Sequence, residues 1–237
     1  MKKHRQLSPN KTETPCAGAA LFDSLSSVYD EWYEVDGKLI FATEVQAFQK
    51  ILASLPKPWV EIGIGSGRFA YALGIEIGLD PSIKLLEIAR KRGITALLGK
   101  GEQQPFDTAS FGTAFFIVTF CFFHSPLNVL KETLRVLSPE GKIVLGLVLR
   151  ESPWGKFYVQ KKKKGHRFYK YANFYNYDEV VILMEQAGFL VETVISTLFQ
   201  DPGKVEQVEL PRDGFSPSAG FVIIVAGKKG SGGALPR

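Results

Sequence analysis

The chain has 237 residues, 45% of them hydrophobic, and a formal net charge of +5. This length and apolar content fit a single α/β domain with a sizeable core and one decorating segment. The sequence shows neither the roughly 20 consecutive apolar residues of a membrane helix nor the apolar core of a signal peptide. Cys16 and Cys121 are far apart and lack metal-ligand spacing, so we expect no disulfide framework, no metal and a cytoplasmic location.

Apolar runs alternate with helical patterns along the middle of the chain, which is typical of a parallel sheet covered by helices on both faces. The helix after the fourth predicted strand should break at Pro139 and Gly141, and the last helix should be capped by Asp178. The predicted strands cover residues 58–62, 75–79, 94–98, 112–120, 142–149, 190–198 and 220–226.

Three segments depart from this alternating pattern. Residues 1–18 are polar and residues 229–237 are rich in glycine, so both are predicted to be flexible ends of a single domain that spans 19–228. Residues 150–177 are aromatic and basic and lack clear strand or helix periodicity. We interpret this third segment as an inserted lid.

The stretch WVEIGIGSGRFA, residues 59–70, places an acid near the end of the first predicted strand and three glycines directly after it. Glycines at 63, 65 and 67 allow a tight bend and a close approach of the backbone to a ligand. In open α/β sheets, ligands bind beyond the carboxyl ends of the strands, where strand order reverses. Asp80 follows the second strand and can accept two hydrogen bonds from a ribose diol. The pattern predicts a ligand that contains a nucleoside.

Two classes of cofactor compete for this turn. The segment from Gly65 to Ala70 satisfies the dinucleotide fingerprint GxGxxG/A. However, Asp80 comes about 15 residues after Gly65 rather than the usual 20 or so. Glu61 also places negative charge just before the turn, which opposes a pyrophosphate and suits a ligand with an ammonium group.

Four motifs in chain order resemble those of class I S-adenosylmethionine-dependent methyltransferases: VEIGIGSG, GLDPS, GKGEQQPFDTASFGTAFFIVTF and LKETLRVLSPEGKIVL. They are most similar to the ubiquinone-biosynthesis-type (methyltransferase domain 11-like) subgroup, over roughly residues 21–226. The resemblance implies a Rossmann-like, doubly wound seven-stranded sheet with an antiparallel last strand. It also implies S-adenosylmethionine as the cofactor and S-adenosylhomocysteine as the product.

The same resemblance implies roles for individual residues. Glu61 and the glycine turn would face the methionine portion, Asp80 the ribose, and Glu102 the adenine, because Lys100 stands where relatives often have an aspartate. The expected cofactor-binding residues are Tyr29, Glu61, Gly63, Ile64, Gly65, Gly67, Asp80, Pro81, Gly101, Glu102, Thr119 and Phe120.

Each of these residues also has a purely structural interpretation. The glycines can form a turn alone, Asp80 can cap the helix that begins near Pro81, and Glu102 can be a surface residue.

In the family, a cap before the first strand, here about residues 19–56, and an insertion after the fifth strand cover the cofactor. Their aromatic residues are expected to form the acceptor pocket, because a ring face attracts a sulfonium cation and excludes water. Packing of the lid onto the sheet is the alternative. The expected substrate-pocket residues are Trp32, Tyr33, Trp154, Tyr158 and Tyr169.

Methyl transfer from a sulfonium requires alignment and exclusion of water, whereas a base is optional. His124 and Tyr29 are the candidate catalytic residues, although His124 is also a common helix-entry residue. Asp30 is a weaker candidate for a base. Cys121, among phenylalanines, is expected to be a small buried hydrophobe.

The sequence thus predicts a methyltransferase for a small-molecule acceptor and leaves the oligomeric state open. The basic run 161–167 is typical of a solvated loop, but it offers an alternative as the phosphate-contacting patch of an RNA or protein methyltransferase. A non-catalytic module that only binds the cofactor is the third hypothesis.

Overall fold

A computed structural model describes residues 17–230 of the chain. The leader and the tail expected from the sequence, together with Cys16, therefore lie almost entirely outside the described residues. Among residues 17–230, no helix is both long enough and apolar enough to cross a membrane.

A mixed sheet forms the centre of the molecule. Strand order reverses between β1 and β4, because β1 to β3 extend one way along the sheet and β4 and β5 the other, in the order β3-β2-β1-β4-β5-β8-β6-β7. The first five strands are parallel, and β8 is antiparallel to both of its neighbours. The strands are β1 (Trp59–Ile62), β2 (Ile77–Asp80), β3 (Thr95–Leu98), β4 (Phe111–Ile117), β5 (Leu137–Leu147), β6 (Phe189–Thr197), β7 (Arg212–Asp213) and β8 (Phe221–Lys228).

This topology confirms the Rossmann-like, doubly wound fold. The sheet has eight strands rather than seven because the two residues of β7 pair with Ile195 and Ser196 at the outer edge of β6. The reversal of strand order places the carboxyl ends of β1 and β4 at the switch point where such sheets bind ligands.

Helices cover both faces of the sheet and bury two apolar clusters. Phe115 packs with Phe48 in one cluster, while the next residue, Phe116, packs with Leu130 in the other. This division follows from the alternation of side chains along a strand. The helices are α1 (Ala17–Ser24), α2 (Ser26–Trp32), α3 (Lys38–Leu52), α4 (Arg68–Leu73), α5 (Ile83–Lys91), α6 (Pro126–Val136), α7 (Pro153–Lys163) and α8 (Tyr177–Ala187).

The prediction that Pro139 and Gly141 separate the helix from the fifth strand was wrong. The strand begins at Leu137, directly after α6, and it contains Pro139 and Gly141. Phe111 pairs with Leu137 and Thr113 with Lys142, so residues 138–141 bulge out of the ladder. Proline is tolerated there because its missing N–H is not needed for pairing.

Within the predicted lid, residues 153–163 form the helix α7, although the sequence shows no clear helix periodicity there. Ser152 caps this helix, accepting a hydrogen bond from the Gly155 N–H at 2.9 Å, and Pro153 occupies its first turn. Serine followed by proline is a helix-start signal that the aromatic and basic composition obscured.

The prediction for the N-cap residue of α8 was also wrong. Asn176, and not Asp178, is the capping residue, because its side chain accepts from the Glu179 N–H at 2.7 Å while the Glu179 carboxylate accepts from the Asn176 N–H at 2.9 Å. This reciprocal pair is a capping box, and Asp178 lies in the first turn.

An ion-pair network fixes the N-terminal helices over the glycine turn. Asp30 on α2 accepts hydrogen bonds from Arg68 Nε at 2.9 Å and from Arg92 at 2.8 Å. Arg92 also donates to the Ser66 carbonyl within the turn at 2.6 Å. Burial raises the pKa of Asp30, but the hydrogen bonds from the two arginines outweigh it and lower the pKa to about 2.

Replacing Asp30 with asparagine should lower the free energy of unfolding at neutral pH by about 2 kcal/mol, because the pKa difference between the folded and unfolded chains is lost. The folded pKa is the lower one, so this stabilisation is present above the unfolded value of 3.8 and disappears as the pH falls towards 2. Denaturant titrations at neutral pH and at about pH 3 measure both effects.

The control is Glu87→Gln, which breaks an exposed pair between Glu87 and Lys84. Exposed pairs contribute little, so this variant should unfold within about 0.5 kcal/mol of the parent. Equal losses in the two variants at neutral pH would contradict the role of the Asp30 network.

Candidate functional site

The glycine turn follows β1 and depends on the absence of side chains. Gly63 has a φ of +78°, and a Cβ at this position would lie 2.0 Å from Thr119 Oγ1. The N–H groups of Gly63 and Ile64 both donate to the Leu79 carbonyl, at 2.7 and 3.1 Å, which joins the turn to β2. The turn is therefore closed against β2 and against the segment after β4.

Asp80 ends β2 and faces the turn. One carboxylate oxygen accepts from the Gly65 N–H at 2.9 Å and the other from the Ser82 N–H at 2.8 Å. Burial raises the pKa of Asp80 to about 6, although these two hydrogen bonds act in the opposite direction. Asp80 does not itself cap α5, because the Ser82 hydroxyl accepts from the Leu85 N–H.

Glu61 on β1 is buried beside the turn. One of its oxygens, Oε2, has no hydrogen-bond partner among the described residues. Burial, and then the charge of Asp80, raise the pKa of Glu61 well above its ordinary value. Buried carboxyl groups normally find a donor or a cation, so Glu61 is poised for an external partner.

An aromatic layer from α2 covers the turn. The Tyr29 ring lies 3.7 Å from the position of a Cβ on Gly65, and its hydroxyl is 3.1 Å from that of Tyr33. Tyr29 also packs edge-on against Phe168 of the lid, with ring centroids 5.8 Å apart. Burial raises the pKa of Tyr29 to about 12, so its hydroxyl is protonated at neutral pH.

The backbone after β4 is strained. The strand ends at Ile117, and not at Phe120 as predicted, because Val118 adopts a φ of +54°. A positive φ is rare for a β-branched residue and costs about 1–3 kcal/mol. This conformation turns the chain so that Thr119 meets Gly63 and Phe120 becomes fully buried.

The turn predicted to flank adenine lies after β3. Lys100 and Gln103 pair across it, and Gly101 is buried where a Cβ would lie 2.9 Å from the Phe123 ring. Glu102 accepts a hydrogen bond from the Ser125 N–H at 3.4 Å. Pro81 is exposed on the far side of Asp80.

A cavity of about 480 Å³ lies beside the turn, between the cap, the lid and the ends of β4 and β5. Its wall contains six predicted residues: Tyr29, Trp32, Tyr33, Phe120, Tyr158 and Tyr169. Cys121 is also part of the wall, and burial raises its pKa to about 12, so it is a neutral thiol.

Two predicted residues lie elsewhere. Trp154 is buried in the core, where its indole N–H donates to the Gln200 carbonyl at 2.8 Å, because α7 turns this face towards the sheet. His124 is exposed and does not line the cavity. Asp30, the weaker candidate for a base, is held in the ion pairs described above.

Two titratable residues of the cavity wall were missed by the sequence analysis. Glu44 on α3 is buried, and His166 has a buried Nδ1 with no partner among the described residues. Glu44 could have been predicted from the sequence, because it is a glutamate on the apolar face of a helix. His166 was hidden inside the basic run.

The basic run is partly helix and partly loop, because residues 161–163 end α7 and residues 164–167 lie beyond it. Lys161 to Lys163 form the last turn of α7, where cations are stabilised by the helix dipole. Lys162 donates to the Ala172 carbonyl at 2.5 Å, and Lys161 and Arg167 face the cavity. The run therefore has structural roles that do not involve a phosphate.

Known proteins share both the sequence and the fold of this chain. A family model described as a methyltransferase domain matches residues 60–145. An uncharacterised protein of Mycobacterium tuberculosis is 38% identical over 217 residues, covering 91% of this chain and 75% of that protein. An uncharacterised protein of Methanocaldococcus jannaschii is 36% identical over 209 residues, covering 88% and 98% of the two chains.

A crystal structure from Thermotoga maritima superposes with a TM-score of 0.83 at 38% identity, and the match covers 89% of this chain and 99% of that one. That protein is named as an S-adenosylmethionine-dependent methyltransferase, and as a possible histamine N-methyltransferase. With the glycine turn, the acids near the carboxyl ends of β1 and β2 and the strand order, this match shows that the chain belongs to the class I S-adenosylmethionine-dependent methyltransferases.

Proposed function

We propose that this methyltransferase binds S-adenosylmethionine at the glycine turn and transfers its methyl group to a small-molecule acceptor held in the adjacent cavity. The observation that carries this proposal is the position of the two buried acids, Glu61 and Asp80, on either side of a turn that excludes side chains. The aromatic cavity begins directly beside that turn, at Tyr29 and Phe120.

The residues of the turn fit the methionine and ribose portions of the cofactor. Glu61 has a free oxygen for an ammonium group, and the positive φ angles of Gly63 and Gly65 form the tight bend beside it. Each oxygen of Asp80 accepts one backbone hydrogen bond and keeps a lone pair for a ribose hydroxyl. Gly101 and Glu102 are assigned to the adenine side, and Thr119 to the region of the sulfur.

The size of the cavity supports a small acceptor. A volume of about 480 Å³ lies within the range of roughly 300–1,000 Å³ typical of pockets for small molecules. Tyr33 and Tyr158, which line the cavity, are both buried, so this part of the cavity lies inside the fold rather than on its surface.

The bound cofactor supplies a methyl group that is already activated by its sulfonium. The chain's own residues therefore act by alignment and by exclusion of water. Tyr29 and Phe120 provide ring surfaces, which attract a cation and keep the reaction centre dry. Because Tyr29 is protonated at neutral pH, it can donate a hydrogen bond but does not act as a base.

Two substitutions should separate the two halves of the cofactor site. Glu61→Gln should weaken S-adenosylmethionine binding about tenfold or more but leave 5′-methylthioadenosine within about twofold, because this nucleoside lacks the ammonium group. Asp80→Asn should weaken both ligands about tenfold, because both carry the ribose diol. Isothermal calorimetry with each ligand measures the four affinities.

The control for these variants is Glu76→Gln, which changes an exposed acid just before β2. It should leave both affinities unchanged. If Glu61→Gln weakened both ligands equally, or if Asp80→Asn weakened neither, the assignment of the two acids would be incorrect.

A second pair of substitutions tests the crowding of the turn. Gly63→Ala should abolish detectable cofactor binding, because the new Cβ would lie 2.0 Å from Thr119 Oγ1 and the turn must open. Gly74→Ala is matched in backbone strain, with a φ of +74° against +78°, but has nothing within 4 Å of the new Cβ. It should cost about 1 kcal/mol of unfolding free energy and no affinity.

Thermal unfolding and calorimetry distinguish the two outcomes of this experiment. If Gly63→Ala behaved like Gly74→Ala in both measurements, the contact between the turn and Thr119 would not matter for binding.

A further inference from the structure

Glu44 is a carboxyl group at a position that a helix normally gives to an apolar residue. It lies on the buried face of α3 between Phe41 and Phe48 and is only 5% exposed. The remaining exposure is towards the cavity, whose wall includes Glu44. A buried carboxyl that serves folding alone would be paired with a donor or a cation.

No such partner is recorded for Glu44 within residues 17–230. Neither a hydrogen bond nor an ion pair involves its carboxyl group there, and desolvation by burial, with no opposing interaction, raises its pKa to about 8. Keeping this group costs stability, since a buried polar group without a partner is unfavourable by about 1–3 kcal/mol. The cavity is the side from which a partner can reach it.

The surroundings of Glu44 suit a cation. The buried rings of Tyr33 and Tyr158 lie near its carboxyl group, and after burial its charge is the next cause that raises the pKa of Tyr158. Tyr169 packs against Tyr158 with ring centroids 4.5 Å apart and the two rings tilted by 38°. Aromatic faces around a carboxylate attract an ammonium group both by charge and by the ring quadrupole.

The cationic residues of the cavity do not neutralise Glu44. Arg167 is exposed and lies over the Phe168 ring, and Lys161 lies over the Phe157 ring with its Nζ 4.5 Å from the centroid. His166 is the remaining basic group of the wall, and burial together with Lys161 lowers its pKa, so it is neutral at pH 7. The buried part of the cavity is therefore acidic and its lid side is basic.

We propose that Glu44 is the recognition site for the acceptor, and that the acceptor carries a protonated amine that binds the Glu44 carboxylate between Tyr33 and Tyr158. This inference rests on the proposed function, because it assigns an occupant to the cavity next to the cofactor turn. It adds a substrate class and a specificity-determining residue to that function.

Three matched probes test the proposal with the full chain saturated with S-adenosylhomocysteine: 2-phenylethylamine, 2-phenylethanol and phenylacetate. They share one ring and differ in carrying a cation, a neutral hydroxyl or an anion. Calorimetry should show the amine binding at least about tenfold tighter than the alcohol, with the anion weakest. In Glu44→Gln the preference for the amine should fall below about threefold, because the charge is lost while the shape is kept.

The control is Glu76→Gln, which removes an exposed acid outside the cavity and should keep the preference of the parent. Absence of amine binding, equal binding of amine and alcohol, or an unchanged preference in Glu44→Gln would each overturn the proposal. Failure of S-adenosylhomocysteine to bind the parent chain would instead contradict the proposed function. The two failures are therefore distinct.

The pH dependence of amine binding provides a second readout. Because the amine binds the ionised carboxylate, its affinity should rise from about pH 6 to about pH 8 as Glu44 loses its proton, and Glu44→Gln should abolish that rise. Tyr33, Tyr158 and Tyr169 face the same space, and burial raises their pKa values above this range. A pH-independent affinity in the parent would count against the assignment.

Discussion

The burial of two carboxyl groups side by side, Glu61 and Asp80, constrains the arrangement of everything around them. They lie near the carboxyl ends of neighbouring parallel strands, and the charge of Asp80 adds to the burial that disfavours ionisation of Glu61. Selection for stability alone would replace such a pair with apolar residues. The backbone supplies donors to Asp80 at Gly65 and Ser82, but it leaves an oxygen of Glu61 without a partner. Under the proposed function, the ammonium group and the ribose diol of the cofactor would provide the missing partners.

The N-terminal helices that cover Glu61 and Asp80 are hydrogen-bonded to the segments around these two acids. Arg92 reaches from α5 to both the Ser66 carbonyl of the turn and the Asp30 carboxylate of α2. Asp23 on α1 meets the other end of the same helix, where it accepts from the Ser82 hydroxyl at 2.6 Å. The turn and the cap therefore share their anchors, and a movement of α2 would also release the Tyr29 ring from above Gly65. Whether the buried acids can be reached from outside therefore depends on whether α2 stays in place.

The sequence predicted the parts of this molecule that are governed by local rules. Alternating apolar runs located the seven main strands to within a few residues, apart from the early start of β5, and the glycine turn and Asp80 were placed correctly at the switch point. The errors have tertiary causes. The bulge at 138–141 tolerates Pro139 because pairing there is interrupted, and the positive φ of Val118 ends β4 three residues before its apolar run ends.

The site residues divide in the same way. The residues in and beside the glycine turn could be predicted from the sequence motif. Which residues line the acceptor cavity depends instead on which face of each helix packs inwards, and the motif does not give this. Trp154 and Tyr158 lie one helical turn apart on α7, yet Trp154 is held in the core by its bond to Gln200 while Tyr158 reaches the cavity. Glu44 could have been found from its apolar neighbours in the helix, but only the fold shows that a cavity faces it.

A strained backbone residue and two incompletely partnered carboxyl groups lie where the cofactor turn adjoins the acceptor cavity. Val118 lines the cavity, and its unfavourable conformation positions the next residue, Thr119, against the cofactor turn. On one side of this boundary lies Glu61, which has one unpartnered carboxylate oxygen, and on the other lies Glu44, whose carboxyl group has no partner among the described residues. Both groups, like the strain at Val118, destabilise the ligand-free fold, and proteins retain such features where binding relieves them. A cationic group on each side of Val118, one from the cofactor and one from an amine-bearing acceptor, would give both carboxyl groups a partner.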